Sequence, residues 1–275
     1  ASEGRIPAEN IPFPRRDMNF ELNPLLYFTS EDEMADGLEK VAGEGFGSSE
    51  AQIVHALDDL AEALGTDGFG NVYPGAQVPF GGIQISPDTD DDYYDAASGY
   101  KYAHKTLMGF SLNHLSGTGI PDLGDFLFMP GVGEIKLEPG THDDPDAGYR
   151  SRYSHDEEWC SPAYYGVNLT DYGVKAEMTA AQRSGILRFT YPEADDAFIL
   201  VDMRHTLWWK CRWANLRKED DHTITGYKLV QGWGAERHVY FVAEFSEPLD
   251  DFGIMEGGKR VCYDTKRFRS DCEAW

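Results

Sequence analysis

The feature that most constrains this chain is a change of rhythm near residue 65. Upstream, apolar residues recur every three or four positions. Downstream, short alternating runs are cut at close intervals by Gly, Pro, Asn and Asp. A period near 3.6 marks an amphipathic helix and a period of 2 marks a strand with one buried face. The first stretch, up to about residue 28, contains several prolines and reads as an extended arm. Ser30 and Glu33 then form a capping box ahead of Met34, Leu38 and Val41, with Gly43 as the stop. Ser49 and Gln52 repeat the signal ahead of Ile53, Leu57, Leu60 and Leu64, and Gly65 ends the run. From residue 66 the pattern is that of strands. Ile83 and Ile85 alternate with Gln84 and Ser86; Val174, Ala176 and Met178 alternate with Lys175 and Glu177. Phe198-Ile199-Leu200-Val201 is continuous, as suits a strand buried on both faces, and Val239 to Phe245 reads as another strand. The expectation is a mainly β chain: an N-terminal arm and short helical extension over residues 1–64, then a large antiparallel β-sandwich over residues 65–275.

Charge and cysteine usage narrow the function. Asp and Glu number 48 against 24 Lys and Arg, a formal net charge of −24 that repels a phosphate backbone and argues against nucleic acid as a partner. It suits a neutral ligand, bound cations or a salty medium. No apolar run approaches the roughly 18–20 residues of a membrane-spanning helix. Cys160, Cys211, Cys262 and Cys272 lack C-x-x-C spacing, so they are disulfide candidates with three possible pairings, or free thiols. Cys262 and Cys272 are spaced to close a short loop. Asn168-Leu169-Thr170 is a glycosylation sequon, relevant in a eukaryotic secretory protein. The chain begins at Ala1 without an apolar leader, which reads as a processed or trimmed start.

The local motifs are individually modest. Asp88-Thr89-Asp90-Asp91-Asp92 opens like a calcium loop, but Tyr93 and Gly99 occupy the positions where an EF-hand needs Gly and Glu. A looser calcium loop and a solvated acidic turn remain as readings. His142, Asp143, Asp144 and Asp146 around Pro145 suit either a metal or a surface turn. His114-Leu115-Ser116-Gly117-Thr118-Gly119 lacks the Lys and helix of a phosphate cradle, so its glycines serve close backbone approach. There is no G-x-S-x-G elbow, and acid pairs such as Asp122 with Asp125 carry no distance information.

Four segments in order resemble glycoside hydrolase family 92. They are Gly65 to Ala76 continuing to Thr89; Ser98-Gly99-Tyr100 with His114 to Gly119 and Asp122-Leu123-Gly124-Asp125; Tyr153-Ser154-His155 through Asp171-Tyr172-Gly173 to Glu177; and Gly226-Tyr227, Gly232-Trp233 and Val239-Tyr240-Phe241. The resemblance implies a secreted, extracellular (or, in a bacterium, periplasmic) calcium-dependent exo-α-mannosidase that inverts the anomeric centre and acts on mannose-containing glycans. It implies an N-terminal β-sandwich joined to a C-terminal (α/α)6 barrel. The barrel would carry the general acid and base, held roughly 6.5–9.5 Å apart for inversion, and most calcium contacts. No catalytic residue is then expected among these 275, and the chain alone is expected to be inactive. Its expected role is substrate positioning by Gly68, Phe69, Gly70, Ser116, Gly117 and Thr118 at a rim, with an aromatic platform. Tyr94, followed by Asp95, stands where the family usually has Gly-Trp-Asp, and Trp233 and Trp159 are alternative platforms. Phe69 and Leu187 stand where His is common in the family. These departures also fit a non-catalytic structural or carbohydrate-binding relative.

Overall fold

The computed structural model describes residues 65–67, 70–91, 96–256 and 259–261. The arm and both helix patterns of residues 1–64 lie outside the described residues, as do Cys262 and Cys272. Along the chain the strands are β1 (Ala76–Gln77), β2 (Gln84–Asp88), β3 (Thr106–Leu107), β4 (Gly109–Ser111), β5 (Leu127–Val132), β6 (Ser151–Arg152), β7 (Glu158–Ser161) and β8 (Tyr164–Leu169). There follow β9 (Val174–Ala180), β10 (Gly185–Thr190), β11 (Ala197–Asp202), β12 (Cys211–Lys218), β13 (Thr223–Val230), β14 (Arg237–Glu244), β15 (Ile254–Glu256) and β16 (Lys259–Val261). A five-stranded sheet runs β1-β2-β4-β5-β11, a four-stranded one β10-β9-β8-β7 and a three-stranded one β12-β13-β14; β3-β6 and β15-β16 are small pairs. Every pairing is antiparallel. The expected mainly β sandwich is what forms.

Strand periodicity explains how the layers join. On β5, Leu127 and Met129 enter a core shared with Ile85, Phe110, Tyr165, Val167, Leu169, Val174, Ala176 and Met178. The intervening Phe128, with Phe126 just before the strand, enters a second core with Ile224 and Phe241. Successive side chains on a strand point to opposite faces, so one strand serves two cores. Phe126 and Phe241 lie with ring centroids 4.5 Å apart, and Phe128 meets Phe241 edge-on at 5.8 Å.

Two strands depart from their sequence pattern for physical reasons. Phe198 to Val201 is only half buried, because β11 pairs with β5 at the sheet edge and its outer face borders a cleft. A continuous apolar run cannot distinguish that position from a doubly covered one. Glu177 alternates outward on β9 yet is covered: the Arg188 guanidinium, the Tyr164 hydroxyl and the Lys175 ammonium surround it. The hydrogen bond from Arg188, then that from Tyr164, hold its carboxyl down to about 2. Leu187, on β10 opposite Met178, is a packing residue against both cores. No helix among the described residues is long and apolar enough to cross a membrane.

Candidate functional site

Two buried ionic bridges tie loops to the sheets. Asp88 closes β2 and is fully buried. Its Oδ1 lies 2.7 Å from His114 Nε2 and its Oδ2 lies 2.7 Å from His205 Nε2. His114 Nδ1 donates to the Gln84 carbonyl at 2.8 Å, since a carbonyl only accepts, so both ring nitrogens of His114 face acceptors. Burial by itself raises the Asp88 carboxyl, but the charge and hydrogen bond of His114, joined by those of His205, overcome it and hold Asp88 well below the usual carboxylate range. Burial by itself lowers His205, and the hydrogen bond and charge of Asp88 reverse this and raise it. The glycine of the Ser98-Gly99-Tyr100 segment has its reason here. Gly99 has φ +87°, and a Cβ on it would sit 2.1 Å from Asp88 Oδ1. Gly99→Ala is expected to cost about 1–3 kcal/mol of stability in chemical denaturation, from left-handed strain and displacement of that oxygen.

The second bridge is built on Asp125, also fully buried, which pairs with Lys228 Nζ at 3.0 Å and with Arg237. Asn113 donates from Nδ2 to Asp125 at 2.9 Å and accepts from the Asp125 backbone N–H at 2.8 Å. Lys228 is itself fully buried, donates to the His205 carbonyl at 2.5 Å and lies 5.1 Å from the Phe126 ring centroid. The two bridges therefore meet at His205. Asp122 takes Arg237 at 3.1 Å and the Trp233 backbone N–H at 3.0 Å. The acid pair Asp122 and Asp125 is thus committed to ion pairing within the fold.

On these bridges rests a loop rim. Gly117 N–H donates to the Asn71 carbonyl at 2.7 Å, which ties the Ser116-Gly117-Thr118 turn to the segment that begins at Gly70. Gly117 has φ +72° and open space where a Cβ would be, so the turn geometry, not crowding, calls for glycine there. Thr118 Oγ1 donates to the Ile120 carbonyl at 3.0 Å. Through Asp122 the same loop reaches Trp233, whose side chain is exposed. The structure therefore links Gly70, Ser116, Gly117, Thr118 and Trp233 along one connected set of loops. Gly68, Phe69, Tyr94 and Asp95 lie outside the described residues. Trp159 is engaged in packing: Gly166 lies beneath its ring and Lys175 Nζ stands 4.9 Å from a ring centroid.

Sequence reasoning missed Trp208. It is 53% exposed with φ +71°, a conformation bulky residues avoid. Its neighbours force it: Leu207 is fully buried with its N–H on the Leu123 carbonyl at 3.1 Å, and Trp209 Nε1 donates to the Pro121 carbonyl at 2.8 Å. No local motif announces such a residue, because both anchors are distant in sequence. A cleft of about 3380 Å³ opens between the sheets, walled by Leu187, Phe189, Ile199, Val201 and Phe241. It is several times the roughly 300–1,000 Å³ of a small-ligand site, and none of the described rim residues lines it.

Cys160 is exposed on β7 and Cys211 buried on β12, and no disulfide joins them. Asn168 is half-buried on β8 opposite Lys175, with Thr170 exposed just beyond the strand.

Fold and site together define the class: an antiparallel sandwich domain whose buried Asp–His and Asp–Lys–Arg bridges support a rim of loops. Residues 62–275 match the glycosyl hydrolase family 92 N-terminal domain, and the chain belongs to that family. Among solved structures it is 72% identical to the family GH92 α-mannosidase BT3965 from Bacteroides thetaiotaomicron, with a TM-score of 0.71 over 75% of this chain and 28% of that one. The GH92 family glycosyl hydrolase ccman5 is 26% identical, with a TM-score of 0.61 over 75% of this chain and 28% of that one. An uncharacterized secreted glycosidase of Arthroderma benhamiae is 27% identical over 147 residues, 52% of this chain and 18% of that protein. The chain thus spans about a quarter of the length of these solved relatives and less than a fifth of the fungal one.

Proposed function

We propose that this chain is the substrate-positioning N-terminal domain of a secreted, calcium-dependent, inverting exo-α-mannosidase acting on mannose-containing glycans. The observation that carries the reading is the 72% identity to the corresponding quarter of an α-mannosidase that has also been solved with mannoimidazole. The secreted description of the fungal relative supports the extracellular setting. The division of labour follows from chemistry. The buried carboxylates Asp88 and Asp125 are held by fixed cations and imidazoles, which leaves them no proton to exchange with a glycosidic oxygen. The rim supplies backbone and an exposed indole, suited to orienting a sugar ring through its apolar face. The acid and base would then come from the remainder of a longer chain.

Calcium takes about six to eight oxygen ligands. Among the described residues the cluster with metal-ligand proximity contains two imidazoles, which does not fit calcium. As the family resemblance implies, calcium would be held mostly by the partner (α/α)6 barrel.

The test is mannose release. The full-length natural product is expected to release mannose from α-mannosides and to lose that activity with a calcium chelator, while the 275-residue chain alone releases none. Tyr94→Ala or Trp233→Ala in the full-length protein is expected to raise KM about 2- to 10-fold, the loss of one aromatic face. Absence of mannose release by the full-length protein with calcium present would overturn the reading.

A further inference from the structure

The acidic run that begins at Asp88 and the His142 cluster were each too weak alone to mark a metal site. The fold brings them together. Asp90 follows β2, His104 precedes β3 and His142 lies in the connection from β5 to β6, and their ligand atoms all fall within 4.8 Å of one another. His142 Nε2 is 2.7 Å from Asp90 Oδ2, and the two imidazole centroids are 4.0 Å apart. We propose that Asp90, His104 and His142 form a binding site for a transition-metal dication of the zinc class, clamping three separate segments of the chain.

The surrounding hydrogen bonds aim the ligands. Thr89 Oγ1 donates to the Gly99 carbonyl at 3.4 Å and accepts from the Lys101 N–H at 2.9 Å. Its proton is thereby committed, so at 2.9 Å it accepts from His104 Nδ1. With its proton on Nδ1, a neutral His104 has Nε2 as the nitrogen that would bind a metal, the arrangement a metal-bound histidine adopts. Thr106 Oγ1, which accepts from Arg150, stands 2.9 Å from His142 Nδ1 and holds the ring in place. That sets His142 Nε2 against the Asp90 carboxylate, a contact that a proton or a metal ion must bridge. Two nitrogens and one carboxylate select zinc-class ions over calcium and magnesium, and three protein ligands leave a fourth tetrahedral position for water. With bonds of about 2.0–2.2 Å, tetrahedral donors stand about 3.3–3.5 Å apart, so binding widens the 2.7 Å His142–Asp90 contact, a small adjustment within the 4.8 Å that spans the three ligand atoms. All three are partly exposed, so the ion has access. Arg150 opposes it: Nη1 lies 3.3 Å from His142 Nδ1 while donating to the Thr89 carbonyl at 2.6 Å and to Thr106 Oγ1 at 3.1 Å. That fixed charge keeps the site moderate in affinity.

The experiment is titration of the 275-residue chain with Zn²⁺, after chelator treatment and native-state alkylation of accessible thiols, followed by calorimetry and by the visible absorption of Co²⁺. One ion per chain is expected. His104→Ala and His142→Ala are each expected to weaken binding by more than about 100-fold, and Thr106→Val by about 10-fold, within the range for outer-shell partners. His155→Ala, outside the cluster, leaves binding unchanged. Should a histidine variant fail to fold, X-ray absorption of the zinc-loaded natural sequence decides, with two imidazoles in the coordination shell expected. No stoichiometric binding, binding unaltered in folded His104→Ala, binding abolished by thiol alkylation, or a shell without imidazole overturns the proposal.

Discussion

Asp88→Asn is expected to destabilise the 275-residue chain by about 3–5 kcal/mol, the range for breaking a buried charge pair on one side. The substitution keeps the shape and removes the charge. Its amide NH2 must then face one of two imidazole Nε2 atoms that now sit 2.7 Å from carboxylate oxygens. Urea denaturation with an unchanged m-value checks the effect. The variant also has a pH signature. The folded pKa of His205 is raised above its ordinary 6.5. Its contribution is therefore fully present below about pH 6.5 and is lost as pH rises through the folded value. That alkaline loss of stability is expected in the natural sequence and is expected to disappear in Asp88→Asn. A stability change below about 1 kcal/mol, or an alkaline slope that survives, would show that the bridge is not what holds β2 to the loops carrying His114 and His205.

Asp125→Ala is the second large effect, again about 3–5 kcal/mol. It leaves the fully buried Lys228 ammonium with only the His205 carbonyl and the Phe126 ring nearby. Arg237 is 22% exposed and can turn to water, so most of the loss belongs to Lys228. Adding Lys228→Met to Asp125→Ala is expected to recover more than half, because a buried charge is harmful chiefly when its partner is gone. A double variant as unstable as the single one would place the cost in Asn113 and Arg237 instead.

Much of the sandwich was legible because alternation is a local property. Ile85 on β2, and Val174, Ala176 and Met178 on β9, turn to the core as their spacing requires. The half-exposed β11 and the covered Glu177 were not legible, since each depends on which layer lies opposite. The rim was legible in part: the glycines of Ser116 to Gly119 marked a close turn, but only the fold supplies Asn71 as its partner. The bridges were invisible for the same reason. Asp88 and His205 stand 117 residues apart, and Asp125 and Arg237 stand 112 apart. Spacing carries no signal at such range, so Asp122 and Asp125 looked like any acid pair. The same holds for Asp90 and His142, 52 residues apart.

The strand order β1-β2-β4-β5-β11 has a consequence for how the chain is made. β8, β9 and β10 follow one another as a meander, as do β12, β13 and β14, and each can close from nearby residues. β5 can pair with β4 at once, but its other flank cannot close, since β11 begins only after the whole four-stranded sheet has been threaded between them. At about 5–20 residues per second, β5 waits about 3–13 seconds on the ribosome with its outer hydrogen-bonding groups unpaired. Synthesis, not diffusion, then sets when the central sheet is completed, and this open interval is where a chaperone would find its target.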